Sequence, residues 1–220
     1  MSTSGDARIV LRPVATPLPL GFLGLFVATL SFASLQLGWI ADRQGSTIAL
    51  AVLGLTVPVQ LLASVFGFLA RDPVAGTGMG ILAGTWAAAG LATLTSPPGA
   101  NSPGLGVVLL ASGAAMLVPA AGGRHKVVAA TVMALSALRF TVTGVAEISG
   151  TPGWLTTAGW VGVVLAAVSL YAALAFELEG TDKRDVLPLW RRGGAAEAVS
   201  GDEQAQLAGV AHEPGVRKQL

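Results

Sequence analysis

The chain has 220 residues, a formal net charge of +1 at pH 7 and a charged fraction of 11%, whereas soluble domains carry about 25% charged residues. Hydrophobic residues make up 53% of the sequence, and glycine adds 29 further positions. A soluble core cannot absorb so many apolar side chains. The composition therefore excludes an ordinary soluble domain and favours a membrane protein.

Side chains that commonly perform chemistry are scarce. Cysteine is absent, and the two histidines, His125 and His212, lie far apart, which excludes disulfides and argues against a metal cluster. The sequence contains no nucleotide-binding loop, nucleophile elbow or paired-carboxylate arrangement. We therefore predict that the protein is not an enzyme, holds neither a cofactor nor a metal, and does not bind nucleic acid.

Apolar runs occupy residues 20–39, 47–69, 74–94, 105–121, 126–146 and 156–178. Each run is close to the ~20 residues that an α-helix needs to cross the hydrocarbon core of a bilayer. These runs predict an all-α fold, a six-span transmembrane helical bundle. They leave no room for a separate soluble domain.

The remaining segments are short. Residues 1–15 are predicted to form an N-terminal segment, which the charge distribution below assigns to the cytoplasm. They are not predicted to be a cleavable signal sequence, because the apolar run behind them is too long and carries no A-x-A cleavage site. Residues 16–190 form the predicted six-helix transmembrane domain. Residues 191–220 are small, polar and mixed in charge, and we predict a disordered cytoplasmic tail because they carry little apolar surface to bury.

Basic residues fall on one side of the predicted bundle. With a cytoplasmic N-terminus, eleven of the thirteen Lys and Arg residues lie in cytoplasmic segments, Arg43 lies in an outer loop and Arg139 lies within a span. The positive-inside rule thus predicts a multi-pass protein of the cell (plasma) membrane with both termini in the cytoplasm. Trp39, Trp154 and Trp160 then fall near the outer interface, where indole rings anchor helices.

Prolines interrupt helical regularity in two places. Pro17 and Pro19 lack amide donors and restrict the residues before them, so we expect an extended segment that turns into a helix near Leu20. Pro58 lies halfway along the second run and leaves the carbonyl of Gly54 without its intrahelical partner. That carbonyl either faces a solute path or belongs to a tolerated kink that a neighbour satisfies.

Small residues recur every four positions in the third run. This stripe consists of Gly76, Gly80, Gly84, Ala88 and Ala92, and a shorter stripe in the sixth run consists of Gly159, Gly162 and Ala166. Helices in lipid associate through such small residues because their backbones can approach closely. We predict that both stripes are packing faces, either within one subunit or between subunits.

Arg139 is the outlier among the few polar residues within the spans. A guanidinium at that depth costs at least ~2.5 to 3.5 kcal/mol, and no Asp or Glu lies mid-span to pair with it. Two interpretations remain open. The side chain either attracts an anion, or snorkels to the headgroups at the outer end of its helix.

Several motifs resemble those of one transporter family. Residues 16–25, TPLPLGFLGL, are similar to the N-P-A-P-L-G-L-x-G-F signature of the succinate/acetate permeases, the YaaH-type acetate uptake transporters. Residues 60–63 resemble the A-Q-x-x-A-G segment of that family. Residues 71–73 then correspond to its G-N-T-F loop, and Gly84-Thr85-Trp86 to its S-Y-G-x-F-W helix. Residues 158–162 resemble its A-G-W-x-G run, with Tyr171 following, and residues 186–188 resemble its V-L-P.

This resemblance covers about residues 14–190 and implies a permease or channel for small carboxylates such as acetate or succinate. It also implies a homo-oligomer in the membrane lipid, a ring of subunits that each have a pore. In this interpretation, Thr16, Pro17, Pro19 and Gly21 shape the entrance. Gln36 and Gln60 offer hydrogen bonds to a carboxylate, and Arg139 supplies positive charge.

The chain departs from the family pattern at several positions. Thr16 replaces the signature Asn, Gly67 replaces an acidic residue near the end of the second helix, and Ala33-Ser34-Leu35-Gln36 stands for a more polar stretch. The narrow point of the family falls on Leu25, Ala83 and Leu135, so both of its aromatic members are missing. The absence of these two aromatic side chains predicts a pore that is wider, differently selective or closed.

Other functions remain open. The chain lacks a mid-span carboxylate relay, so we expect a channel-like route without proton coupling. One alternative is a non-transporting membrane scaffold protein that kept the fold. Another is a pathway for a different small solute, such as ammonia.

Overall fold

Long helices make up nearly all of the computed structural model, which describes residues 14–182, 186–193 and 195–196. The helices are α1 (Leu18–Gln36), α2 (Asp42–Leu69), α3 (Pro73–Thr95), α4 (Pro103–Gly122), α5 (Val127–Ser149) and α6 (Pro152–Asp182), and all six are long and apolar enough to cross a membrane. The described part of the chain contains no β-strand. The predicted all-α fold with six spans is therefore confirmed. Most of the predicted tail lies outside the described residues.

The six helices form a closed ring. Each helix packs against its neighbours in sequence, and α6 returns to pack closely against α1. Successive helices are antiparallel because the connections between them are short. The side chains that face the middle of the ring therefore come from all six helices.

The two ends of the ring differ in charge. One end carries the α2–α3 and α4–α5 connections and residues 186–192, with Arg71, Arg124, Lys126, Arg191 and Arg192 among its described residues. We call it the basic end. The other end, which we call the opposite end, carries residues 37–41, 96–102 and 150–151.

Helix α1 begins earlier than predicted. It starts at Leu18, with Pro19 inside the first turn, and the amide of Gly21 donates to the carbonyl of Pro17 at 3.1 Å. The expectation of an extended segment as far as Leu20 was wrong, because proline is well tolerated in a first turn, where amides have no intrahelical acceptor anyway. The helix also ends at Gln36, so Trp39 lies beyond it.

The irregularity in α2 takes the form of a π-helical turn. Residues Val52–Thr56 are π-helical and directly precede the α-helical segment that contains Pro58. Gly54 and Pro58 are both exposed, on the outer side of the helix. The solute-path interpretation of the Gly54 carbonyl is therefore wrong, and the tolerated kink is the better description.

The glycine stripe of α3 has two different environments. Near the basic end, a Cβ on Gly67 of α2 would lie 2.5 Å from the amide nitrogen of Gly76, so the two backbones touch. Further along, Gly80 faces the hydroxyl of Ser64, whereas Gly84 is exposed and a Cβ there would have no neighbour within 4 Å. Only part of this stripe is thus a packing face within the subunit.

Gly67→Ala is expected to lower the thermal unfolding temperature of the purified protein. Its methyl group would meet the backbone of α3, and overpacking of this kind costs typically about 1 to 3 kcal/mol. The matched control is Gly104→Ala in α4, which adds a methyl group in open space and should leave stability equal or slightly higher, because alanine favours helix. Equal melting of both variants would contradict the close approach of α2 and α3.

Candidate functional site

A cavity of about 340 Å³ opens at the opposite end of the ring. We call it the vestibule. Its lining includes Phe32, Gln36, Glu147 and Leu155. Two of these residues lead to deeper groups, because Gln36 bonds to Arg139 and Phe32 stacks on Trp86.

Arg139 is buried inside the ring, with only 2% of its surface exposed. Its Nη1 donates to the carbonyl of Ala158 on α6 at 2.6 Å and to Thr143 Oγ1 on α5 at 2.9 Å, and its Nη2 donates to Gln36 Oε1 on α1. The side chain does not reach the headgroups, so the snorkelling interpretation was wrong. The guanidinium instead ties three helices together.

Glycine at position 162 makes room for this guanidinium. A Cβ there would lie 2.9 Å from Arg139 Nε and 3.0 Å from the Cβ of Ala33. Gly159 similarly faces Leu37 and Gln36. The stripe of α6 is therefore a packing face against α1 and α5, as the spacing of its small residues predicted.

The charge of Arg139 is not balanced by a counter-ion within the described part of the chain. No carboxylate among the described residues lies within ion-pair distance of it, and its acceptors are an amide, a hydroxyl and a backbone carbonyl. A guanidinium remains protonated in proteins. The Arg139 charge therefore lies beyond Gln36, close to a vestibule whose own lining carries two carboxylates, Asp42 and Glu147, and low dielectric strengthens its field.

Three aromatic side chains form a cluster below the vestibule. Trp86 is stacked on Phe32 with ring centroids 5.5 Å apart and meets Phe140 edge to face at 5.7 Å. We call Phe32, Trp86 and Phe140 the aromatic trio. They come from α1, α3 and α5, which all run from the basic end to the opposite end.

The aromatic trio lies away from the predicted narrow point. Leu25 and Ala83 are buried and Leu135 is half-buried, so these three positions are apolar, as the sequence indicates. The trio residues follow them in sequence on the same helices, roughly 4 to 11 Å nearer the opposite end. Three aromatic side chains thus lie about one to two turns beyond Leu25, Ala83 and Leu135 on the same helices.

Buried polar atoms without partners mark the interior of the ring. Among the described residues these atoms are Thr29 Oγ1, Gln60 Oε1, Trp86 Nε1, Arg139 Nε and Ser169 Oγ. Buried polar groups in proteins are nearly always hydrogen-bonded, so each unpartnered one needs an explanation. All except the Gln60 oxygen are able to donate a hydrogen bond, which is what a carboxylate requires.

Gln60 lies nearer the basic end and is fully buried. Its Nε2 donates to the carbonyl of Gly21 at 3.4 Å, and Thr56 Oγ1 donates to the carbonyl of Gly24 at 3.1 Å. The side-chain amide of Gln60, which we predicted to donate to a solute, therefore donates to the backbone of α1 instead. The long Gln60 bond is weak.

The predicted site residues fall at different depths. Pro17, Pro19 and Gly21 are buried at the basic end, where Gly21 packs on Met79, whereas Thr16 is exposed. Gly21 and Gln36 are separated by about 22 Å along α1. The structure therefore joins Gln60 to Gly21 and Arg139 to Gln36, and it does not gather all of these residues in one pocket.

Sequence reasoning missed the aromatic trio, Thr29 and Ser169 as candidate site residues. Trp86 was visible within a motif, but its unpartnered N–H follows from the surrounding phenylalanines, which cannot accept a conventional hydrogen bond. No local signal distinguishes it from an anchoring indole such as Trp160, which is 55% exposed.

The fold matches that of a solved transport protein. The structure of the bacterial acetate channel SatP superposes with a TM-score of 0.69 at 23% sequence identity, over 80% of this chain and 99% of that chain. No family model and no curated protein matches the sequence. The match shows that the two chains share a fold.

Proposed function

We propose that this protein is a membrane permease or channel that carries a small carboxylate such as acetate. The observation that carries the proposal is Arg139, a buried guanidinium that has no counter-ion among the described residues and lies close to the vestibule and to donors without a described partner. A fixed positive charge in a dry bundle attracts anions and repels cations. The fold shared with an acetate channel supports the same assignment.

The solute would meet these groups in order from the opposite end. The vestibule leads to Gln36 and Phe32, behind which lie Arg139 and Trp86. Thr29 and Ser169 supply further unpartnered hydroxyls, and Gln60 lies nearer the basic end. Single donors at different depths suit a dehydrated carboxylate that moves in steps, because each site binds it only weakly.

Flux measurements in proteoliposomes test this function. In alkaline buffer, where little neutral acid crosses the lipid unaided, acetate entry should be clearly faster than in protein-free liposomes. Ammonium entry, measured in mildly acidic buffer where little neutral ammonia crosses the lipid unaided, should not be accelerated. Acceleration of ammonium alone would favour the alternative solute, and no acceleration of either would favour a scaffold protein.

We place the protein in the plasma membrane with the basic end in the cytoplasm, as the positive-inside rule requires. The chain has no cysteine, so the reaction of a single introduced cysteine with a thiol reagent shows on which side of the membrane that residue lies. A cysteine at Asn101 should react with an impermeant reagent on intact cells, whereas one at Arg192 should react only after permeabilisation. The reverse pattern would invert the orientation.

We also propose that the protein assembles as a homo-oligomer. A groove between α3 and α4, lined by Gly80, Gly84, Ser112 and Ala115, is open in the single chain. Small residues of this kind allow close approach of a second helix in lipid. Gly84→Leu should shift the oligomer towards smaller species in native mass spectrometry, and an unchanged mass would argue against contact at this groove.

A further inference from the structure

A short segment after α6 folds back across the basic end. We call residues 186–192 the strap. Tyr171 on α6 donates its hydroxyl to the carbonyl of Pro188 at 2.7 Å, and Leu189 is only 2% exposed. Leu189 belongs to the same buried core as Phe22 and Phe176. The strap therefore buries an apolar side chain against the helices at the basic end.

Arg191 fastens the strap to α6. Its guanidinium forms a two-pronged ion pair with Glu179, in which Nε donates to Oε1 at 2.7 Å and Nη2 donates to Oε2. It also lies over the ring of Phe176, 5.5 Å from the centroid. Both charged side chains are mostly buried, so solvent screens this pair less than an ordinary surface pair.

The strap is also linked to the connections at the basic end. The backbone of Arg191 forms an antiparallel bridge with Lys126, and the amide of Arg192 donates to the carbonyl of His125 at 3.0 Å. Lys126 in turn pairs with Asp72 in the α2–α3 connection at 2.6 Å. The strap is thus the link between α6, the α4–α5 connection and, through Lys126, the α2–α3 connection.

A chain of contacts runs from the strap to the candidate solute path. Phe176, under Arg191, lies 6.0 Å from the ring of Phe22 on α1. Phe22 directly follows Gly21, whose carbonyl accepts the hydrogen bond from Gln60. Displacement of the strap would therefore loosen the packing around the polar residues nearest the basic end.

The backbone of the strap is strained. Trp190, between the two fixed residues Leu189 and Arg191, has a φ of +46°, which is unfavourable for a bulky side chain. Its own indole is 61% exposed and contributes little packing. Such strain persists only while the surrounding contacts hold it, so loss of one contact favours release.

We propose that the strap is a gate at the basic end, closed in this structure, with the Arg191–Glu179 ion pair as its latch. The gate rests on the proposed function, since it controls the passage of the carboxylate. When the latch opens, Leu189 leaves the core and the basic end admits water and solute. The vestibule at the opposite end is open while the strap is closed.

Cysteine labelling tests movement of the strap without reference to any solute. Leu189→Cys provides the sole thiol of the chain, and its reaction with a water-soluble maleimide in nanodiscs should be slow. Adding Arg191→Ala should speed labelling about fivefold, as expected when a pair worth about 1 kcal/mol is lost. The matched control is Arg192→Ala, which removes one exposed positive charge from the same segment and should not change the rate.

Acetate flux tests whether this movement opens a path. Arg191→Ala and Tyr171→Phe, which breaks an independent strap contact, should each raise flux several-fold over wild type in proteoliposomes, whereas Arg192→Ala should not. Equal labelling rates in all variants would overturn the latch. Faster labelling with unchanged flux in a conducting protein would overturn the gate. Faster labelling when wild type and variants all fail to pass acetate would count against the proposed function while supporting the latch.

Discussion

Arg139→Met is expected to lower acetate flux by about thirtyfold. An anion that passes roughly 8 Å from a buried positive charge is stabilised by about 2 kcal/mol at an effective dielectric constant of about 20, and each 1.36 kcal/mol in a barrier is roughly tenfold in rate. Methionine has a similar length and fills the space without the charge. Arg139→Lys keeps the charge but loses the planar fork, so its flux should lie between those of wild type and the Met variant.

The protein should still fold without the guanidinium. Its loss leaves Gln36 without a donor, but Gln36 lines the vestibule and can be hydrated there. Removal of a buried charge also relieves its desolvation cost. The control is Arg43→Met, which removes an exposed charge at the opposite end and should conduct like wild type. If the folded Arg139→Met variant shows wild-type flux, Arg139 holds α1, α5 and α6 together and has no role in conduction.

Trp86→Phe is expected to reduce acetate flux about tenfold. Phenylalanine keeps an aromatic ring between Phe32 and Phe140 but lacks the indole N–H, which is without a partner among the described residues. Hydrogen bonds to charged groups contribute about 1.5 to 3 kcal/mol. If the passing carboxylate accepts this bond at the rate-limiting point, its loss raises the barrier by a similar amount.

The matched control for this substitution is Trp160→Phe. Trp160 is exposed and meets Trp39 edge to face at 6.1 Å, so it should anchor the helix without touching the solute. Both variants should be compared at equal reconstituted amounts and equal thermal stability. Similar flux in the two variants would mean that the Trp86 N–H is not used in conduction.

The transmembrane architecture was predictable because it depends on local properties of the chain. A run of ~20 apolar residues specifies a span wherever it occurs, and all six predicted runs correspond to helices. The errors in the predicted positions of the spans were confined to the helix ends. At Leu18, for example, a proline in the first turn was interpreted as a barrier to helix formation. The stripe of α6 was also predictable, because small residues at helical spacing form a flat face.

Positions alone did not reveal the partners of the polar residues. In the predicted run 126–146, Arg139 lies seven residues from the outer end, which fits snorkelling equally well. The helix extends to Ser149, and the packing of α1 and α6 around the guanidinium encloses it. The same holds for Gly84, which shares its spacing with Gly76 but faces a groove instead of a helix. Spacing defines a face, whereas the arrangement of neighbouring helices defines what that face contacts.

The features of the candidate site also fall into those that the sequence predicts and those that depend on the tertiary structure. The sequence by itself determined the number of spans, the charge difference between the two ends and the presence of a lone arginine, because hydrophobic length and charge are properties of single segments. Only the tertiary structure decided that Phe32, Trp86 and Phe140 meet, and that residues 186–192 return to contact α6 and the α4–α5 connection. These contacts join residues far apart in sequence, and their geometry depends on how six helices close into a ring.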